Sequence, residues 1–138
     1  MIGIRTNLAN SALMLPSLVI FIYKHTLTAK QTLLLLDGPT DTPCFHAQQA
    51  IEKALKALLT ANQVVFPRTH DLLRVLDLAL PLMPDLNLYR EQFADMEAYA
   101  VDVRYPDLGF DPSREEALAA LALSEEVAAK VRFNLSIA

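Results

Sequence analysis

The stretch PCFHAQQAIEKALKALLT, residues 43–60, decides the fold predicted for this chain. Thr42 is expected to cap a helix, and Pro43 suits its first position, where no N–H donor is needed. The helix should run to about Asn62. At roughly 100° per residue, its apolar side chains fall on one face, namely Cys44, Ala47, Ile51, Ala54, Leu55 and Leu58. The stretch is therefore an amphipathic helix with one face toward a core.

The opposite face of this helix is polar and basic. It carries His46, Gln49, Lys53, Lys56 and Thr60. An imidazole near two ammonium groups favours an anionic ligand such as a phosphate. The alternative is an ordinary solvated helix face that binds nothing, and the sequence leaves both interpretations open.

Helical patterns continue on both sides of this segment. Asp37-Gly38-Pro39 ends a first helix, Thr69 is expected to cap a third, and Pro81 and Pro84 end that third helix. The predicted helices are residues 24–36, 42–62, 70–83, 86–104 and 111–133. Because short loops join them, the chain is predicted to be all-α, an up-and-down bundle of four to five antiparallel helices.

Composition restricts the class of protein. A chain of 138 residues, 53% of them hydrophobic, can form one domain with its own core. The net charge of -4 and the pI near 5.3 argue against coating of nucleic acid by bulk electrostatics, so any RNA contact needs a local basic patch. The single cysteine, Cys44, is expected to be buried in a protein of a reducing, cytoplasmic compartment.

Residues 1–23 differ in character from the rest of the chain. They are apolar and poor in charge, and they form an atypical N-terminal extension before a helical domain at residues 24–138. A short strand, a packed irregular arm and an extension from an upstream start codon are the alternatives. Residues 12–23 contain Pro16 and are fewer than the roughly 18 to 20 that span a bilayer, so no membrane anchor is expected. A single positive charge, Arg5, also makes a poor secretory signal.

Several motifs of catalysis and metal binding are absent from the sequence. No G-x-G-x-x-G, Walker A, paired C-x-x-C or H-E-x-x-H occurs, so no metal and no resident cofactor is expected. The three histidines, His25, His46 and His70, are the side chains best suited to proton transfer near neutral pH. His70 and Asp71 stand at a predicted helix N-terminus, which attracts anions but is also explained by capping.

Arg104-Tyr105-Pro106 joins a guanidinium to an aromatic ring at the end of the predicted fourth helix. Such a pair can hold a phosphate and stack a base. The alternative is an aromatic plug in the bundle with a surface arginine beside it.

Three segments of the chain resemble one family of helical domains. Residues 44–59 look like the second-helix signature of the HEPN domain family, in its stand-alone prokaryotic type. Residues 67–72, PRTHDL, and residues 104–106, RYP, resemble two further family motifs in the same order and at similar spacing. In contrast, the family usually has a charged amphipathic helix upstream, where residues 1–23 here are apolar.

The resemblance implies a bundle like the C-terminal domain of kanamycin nucleotidyltransferase, usually assembled as a homodimer. It also implies binding of a nucleotide, such as ATP or GTP, or of RNA, beside a minimal nucleotidyltransferase in a toxin-antitoxin or defence pair. The ribonuclease members carry an arginine followed, after four to six residues, by a histidine. Here Arg104 is followed at those positions by Gly109, Phe110 and Asp111, so the motif is absent.

The leading hypothesis is a nucleotide- or RNA-binding domain rather than an enzyme. Its predicted phosphate-binding residues are His46, Lys53, Lys56, His70, Arg104 and Tyr105, with Glu52 and Asp71 orienting the basic groups. One alternative is a metal-independent endoribonuclease in which His46 or His70 is the general base and Arg104 stabilises developing charge. The other alternative is a purely structural interaction module. The sequence does not identify the nucleotide, the RNA or the partner.

Overall fold

Helices form most of the part of the chain that the structure describes. The structure is a computed structural model, and it describes the backbone of residues 2–97 and 112–135 and the side chains from residue 14 onward. The elements are α1 (Ile2–Leu33), α2 (Asp41–Ala61), α3 (Leu72–Ala79), a 3-10 helix (Pro84–Tyr89), α4 (Arg90–Met96) and α5 (Arg114–Leu135). No strand occurs among these residues, so the predicted all-α helical bundle is confirmed.

α2 lies at the centre of the bundle. It packs against α1, α5 and α3. The apolar face predicted for α2 is completely buried, and Cys44 is buried with it as expected. The polar face of α2 is also largely covered, because α1 and the segment after α2 fold over it. The predicted alternative of a fully solvated polar face is therefore wrong.

α1 differs most from the prediction. It begins at Ile2 instead of residue 24 and ends at Leu33 instead of residue 36, and it continues through Pro16. The predicted strand or irregular arm at residues 1–23 is therefore wrong, because this segment extends a helix that packs along α2 and α5. The proposed division of the chain at residue 23 falls inside α1 and stays a prediction. Leu34 and Leu36, predicted as helical apolar residues, are 80% and 83% exposed beyond the helix end.

The third predicted helix is shorter than expected, and the fourth begins in a different helical form. Asp71, and not Thr69, caps α3 by accepting hydrogen bonds from the Leu73 and Arg74 amides. α3 ends at Ala79, before the prolines that were predicted to stop it. The predicted fourth helix begins as a 3-10 helix and becomes α4 at Arg90, and its predicted end lies outside the described residues.

α5 begins with a reciprocal cap that links it to the end of α1. The Glu116 amide donates to Ser113 Oγ at 3.0 Å, and the Ser113 amide donates to Glu116 Oε1 at 3.4 Å. The Arg114 guanidinium donates to the Leu33 and Leu35 carbonyls at 2.7 and 3.2 Å. Because the Leu33 carbonyl is at the end of α1, Arg114 closes the C-terminal end of that helix, while the Leu35 carbonyl also accepts from the Gly38 amide at 3.2 Å.

None of the described helices combines the length and apolar character that a membrane-spanning segment requires.

Candidate functional site

A buried carboxylate organises the polar face of α2. Glu52 is 0% exposed, and its Oε1 accepts a hydrogen bond from Lys56 Nζ at 2.6 Å. Lys53 Nζ lies 3.6 Å from the same oxygen, and His70 Nδ1 lies 3.1 Å from Oε2. Glu52 therefore holds two ammonium groups and an imidazole around one point. A buried carboxylate needs such partners, since an unpaired one would be strongly destabilising.

The charge on Glu52 is stabilised by these neighbours. Burial alone would raise the pKa of Glu52, but hydrogen bonds from Lys56 and His70 and the positive charges of Lys56 and Lys53 outweigh burial and lower it. Glu52 is consequently ionised at neutral pH. Its negative charge neutralises part of the positive charge of Lys53 and Lys56 on α2.

Backbone and amide groups fix the cluster from the other side. Lys56 Nζ also donates to the Thr69 carbonyl at 2.9 Å. Gln49 Nε2 donates to Glu52 Oε2 at 3.3 Å, and Gln48 Nε2 donates to the His70 carbonyl at 3.4 Å. The segment after α2 is thereby fastened to the polar face of α2. The His70 side chain itself remains 66% exposed.

A pair of histidines lies nearer the start of α2. His25 Nδ1 on α1 and His46 Nδ1 on α2 are 2.8 Å apart, so one ring donates a hydrogen bond to the other. Burial, His46 and the positive charge of Lys53 together lower the pKa of His25 from 6.5 to about 4, although Glu52 opposes this effect. His25 is therefore neutral at physiological pH.

An open groove lies beside Glu52, Lys53, Lys56 and His70, which together form the Glu52 cluster. Its volume is about 410 Å3, and it lies between α1, α2 and the segment that follows α2. Its lining residues are Met14, Leu18, Lys53, Lys56, Thr60, Gln63, Val64, Val65, Phe66 and Arg68. This lining includes three cations and no acidic residue. Arg68 has no carboxylate partner among the described residues, whereas Lys56 is held by Glu52 and lies 5.6 Å from the Phe66 ring centroid.

The end of α2 shapes the mouth of this groove. The Val64 amide donates to the Leu59 carbonyl at 2.9 Å, and the Gln63 amide donates to the Thr60 carbonyl at 3.1 Å. This is a Schellman motif, in which Gln63 has the positive φ of 59° that glycine usually supplies. The motif turns the chain back so that Phe66 and Arg68 face α2 across the groove.

A family comparison bears on this arrangement. The HEPN domain model matches residues 25–134, which is most of the chain. The chain belongs to the HEPN domain family. The site residues of α2 and of the segment after it lie inside the matched region, whereas Met14 and Leu18 lie outside it. No curated protein and no solved structure matches the chain, so the likeness to kanamycin nucleotidyltransferase stays an expectation.

The structure of this HEPN domain unites part of the predicted site. Lys53, Lys56 and His70 converge on Glu52, which has the orienting contacts predicted for it. His46 instead contacts His25. Arg104 and Tyr105 lie outside the described residues. No three histidine, cysteine, aspartate or glutamate side chains of the described segments converge as metal ligands would.

Asp71 has a different surrounding from the one predicted. It caps α3, and its carboxyl group is hydrogen-bonded to that of Glu97, whose Oε1 also accepts from the Leu72 amide at 2.9 Å. Burial first, and then Asp71, raise the pKa of Glu97. Asp71 therefore caps the start of α3 and contacts Glu97, the residue after α4, and among the described residues it contacts none of the basic groups predicted for the site.

Arg68, Phe66 and His25 are functional candidates that the sequence analysis did not select. Arg68 and Phe66 stand in a loop without periodicity, so no pattern assigns them to a face. The available signal was the PRTHDL segment, which places Arg68 two residues before His70. The sequence identifies His25 as one of three side chains suited to proton transfer, but only the packing of α1 on α2 pairs it with His46.

Proposed function

We propose that this HEPN domain binds a nucleotide, free or within a single-stranded RNA, by holding its phosphate in the groove lined by Lys53, Lys56 and Arg68. The observation that carries the proposal is three cations and no acid in the lining of a groove of about 410 Å3. Small-molecule sites usually have volumes of about 300 to 1,000 Å3. Guanidinium and ammonium groups are the side chains that bind phosphate oxygens in charge-assisted hydrogen bonds.

Glu52 supports this proposal through the position that it gives to Lys56. Counting Glu52 with the three cations of the groove leaves a positive excess. The excess resides on Lys53, which is 3.6 Å from Glu52, and on Arg68. An acidic protein with such a local excess can bind an anion at one place without attracting nucleic acid over its whole surface.

Titration calorimetry tests the proposal. ATP, GTP, AMP and a short single-stranded RNA are titrated into the whole protein and into a Lys53→Gln/Arg68→Gln double variant. Binding is expected for the native chain and a loss of at least about tenfold in the double variant, which equals about 1.4 kcal/mol. The matched control is Lys24→Gln/Arg74→Gln, which removes the same charge outside the groove. No heat beyond dilution for any ligand would contradict the proposal.

The same proposal includes a homodimer and a minimal nucleotidyltransferase partner, in a cytoplasmic toxin-antitoxin or defence pair. An exposed apolar row on α1, with Ile20, Tyr23 and Leu27 at helical spacing, supports an interface there. Sedimentation at micromolar concentration should give twice the monomer mass. Purification of the tagged protein from its host should recover a nucleotidyltransferase. A monomer that recovers no such protein would remove this part of the proposal.

A metal-independent endoribonuclease is the second candidate, and the histidine pair favours it. The neutral ring that donates through Nδ1 has an unprotonated Nε2, which can accept the proton of a ribose 2′-hydroxyl. Pure protein should then cleave single-stranded RNA in the presence of a metal chelator, and His46→Ala should abolish cleavage. RNA that stays intact at high protein concentration would exclude this candidate.

A further inference from the structure

The N-terminal part of α1 forms one wall of the groove. Met14 and Leu18 line it, although the HEPN model begins matching the chain only at residue 25. The two side chains are four residues apart on one helix, so they lie on the same face. The segment that looked foreign to the domain in sequence therefore completes its candidate binding site.

The packing of α1 on α2 explains this placement. The two helices run in opposite directions, and His25 meets His46. Leu18 is seven residues before His25, and Lys53 is seven residues after His46. Since seven residues are about two helical turns, Leu18 comes opposite Lys53. The apolar wall thus faces the cationic side of the groove directly.

The two walls differ in chemistry. α2 and the segment after it contribute Lys53, Lys56 and Arg68, whereas α1 contributes only Met14 and Leu18. Phe66 continues the apolar surface next to them. A bare phosphate would use the cationic wall alone. A ligand with both a phosphate and a flat aromatic ring would use both walls.

We infer that the groove is selective for a nucleotide unit whose base packs against Met14, Leu18 and Phe66 while its phosphate binds Lys53 and Arg68. This inference rests on the proposed function and adds the role of α1 as a base-recognition wall. Bases bind single-strand sites largely through contacts of their faces with apolar and aromatic side chains. The ligand class is therefore a mononucleotide or one nucleotide of a single strand, and not a double helix.

Calorimetry with paired ligands tests the role of α1. AMP and ribose 5-phosphate carry the same phosphate and differ in the base. The native chain should bind AMP at least tenfold more tightly. Met14→Ala and Leu18→Ala should each weaken AMP binding by about fivefold and leave ribose 5-phosphate unchanged, because the lost contacts are apolar. Leu118→Ala, which truncates an exposed leucine of α5 outside the groove, is the matched control.

The outcomes separate the inference from the proposed function. Equal affinity for AMP and ribose 5-phosphate, or AMP binding that is unchanged in both α1 variants, would overturn the inference while phosphate binding survives. Binding of neither ligand would overturn both. Since Leu18 is 7% exposed and its truncation can disturb folding, the half-exposed Met14 at 39% provides the second, milder variant. An adenosine pentanucleotide that binds more tightly than AMP would identify RNA as the source of the nucleotide.

Discussion

The Glu52 cluster and the adjoining groove contain the same kinds of basic side chain but use them for different purposes. In the cluster, Lys56 and His70 meet a carboxylate that is 0% exposed. In the groove, Arg68 has no carboxylate partner among the described residues, and Lys53 is only loosely paired. Charge that is already neutralised inside the protein fixes the structure. Charge that remains uncompensated is available to a ligand, so the groove is the place where function is expected.

Removal of Glu52 should have the largest effect on stability. In Glu52→Ala, Lys56 loses its buried partner, and such losses cost about 3 to 5 kcal/mol. Urea unfolding followed by circular dichroism measures the free energy of unfolding. Glu126→Ala on the exposed side of α5 is the control and should change it by less than about 0.5 kcal/mol. A Glu52→Ala protein whose free energy of unfolding is within about 1 kcal/mol of the native value would contradict a structural role for the cluster.

Removal of Arg68 should weaken ligand binding in the groove and leave the stability that the Glu52 cluster provides unchanged. Arg68→Ala should weaken AMP binding by about tenfold, because a charge-assisted contact to phosphate is lost, and should change stability by less than about 0.5 kcal/mol. The matched variant is Arg74→Ala, which removes an exposed arginine of α3 and should affect neither quantity. If Arg68→Ala instead unfolded the protein, the distinction between the two regions would be wrong.

Acid should weaken the fold through the histidine pair. The pKa of His25 falls from 6.5 to about 4 on folding, so the unfolded chain takes up the proton first. The contribution of His25 to the free energy of unfolding is complete above pH 6.5. It declines by about 1 to 2 kcal/mol as the pH falls toward 4, after allowance for solvent screening. Glu52, whose pKa is lowered from 4.5, adds to the loss once the pH falls to about 4.5 and below.

Urea unfolding of the native and His25→Gln proteins at several pH values between about 7 and about 4.5 measures how the free energy of unfolding depends on pH. The variant should show the smaller decline. Equal slopes in the two proteins would contradict the assigned role of the pair.

The smallest effect is expected at the end of α2. Gln63 pays for a positive φ of 59°, so Gln63→Gly should stabilise the protein by about 0.5 to 1 kcal/mol. Gln31→Gly, in the regular part of α1, should destabilise by a similar amount. Thermal unfolding compares the two variants, and a destabilised Gln63→Gly protein would contradict the described geometry.

The sequence predicted α2 well because its period is strong and its core face is long. It also grouped Lys53, Lys56 and His70 with Glu52 as a supporting residue, and Lys53 and Lys56 share the polar face of α2. It did not predict that this face is covered, because the cover comes from α1 and from a loop. The burial of Glu52 depends on those tertiary contacts.

Other parts of the molecule could not be predicted for related reasons. Pro16 and an apolar composition suggested an irregular arm, but packing along α2 and α5 favours a helix there in spite of the lost hydrogen bond. Arg68 and Phe66 stand in a loop, where direction depends on the Schellman turn at Gln63. Local patterns carry little information about such positions.

The most direct test of the account is a titration of isotope-labelled protein with AMP, followed by the backbone amide signals in nuclear magnetic resonance spectra. Signals of residues 63–66, of Arg68 and of Lys53 and Lys56 should shift in a saturable manner, while those of α4 and the 3-10 helix stay in place. Saturable shifts confined to other parts of the chain, or no shifts at all, would contradict the assignment of the groove as the nucleotide site.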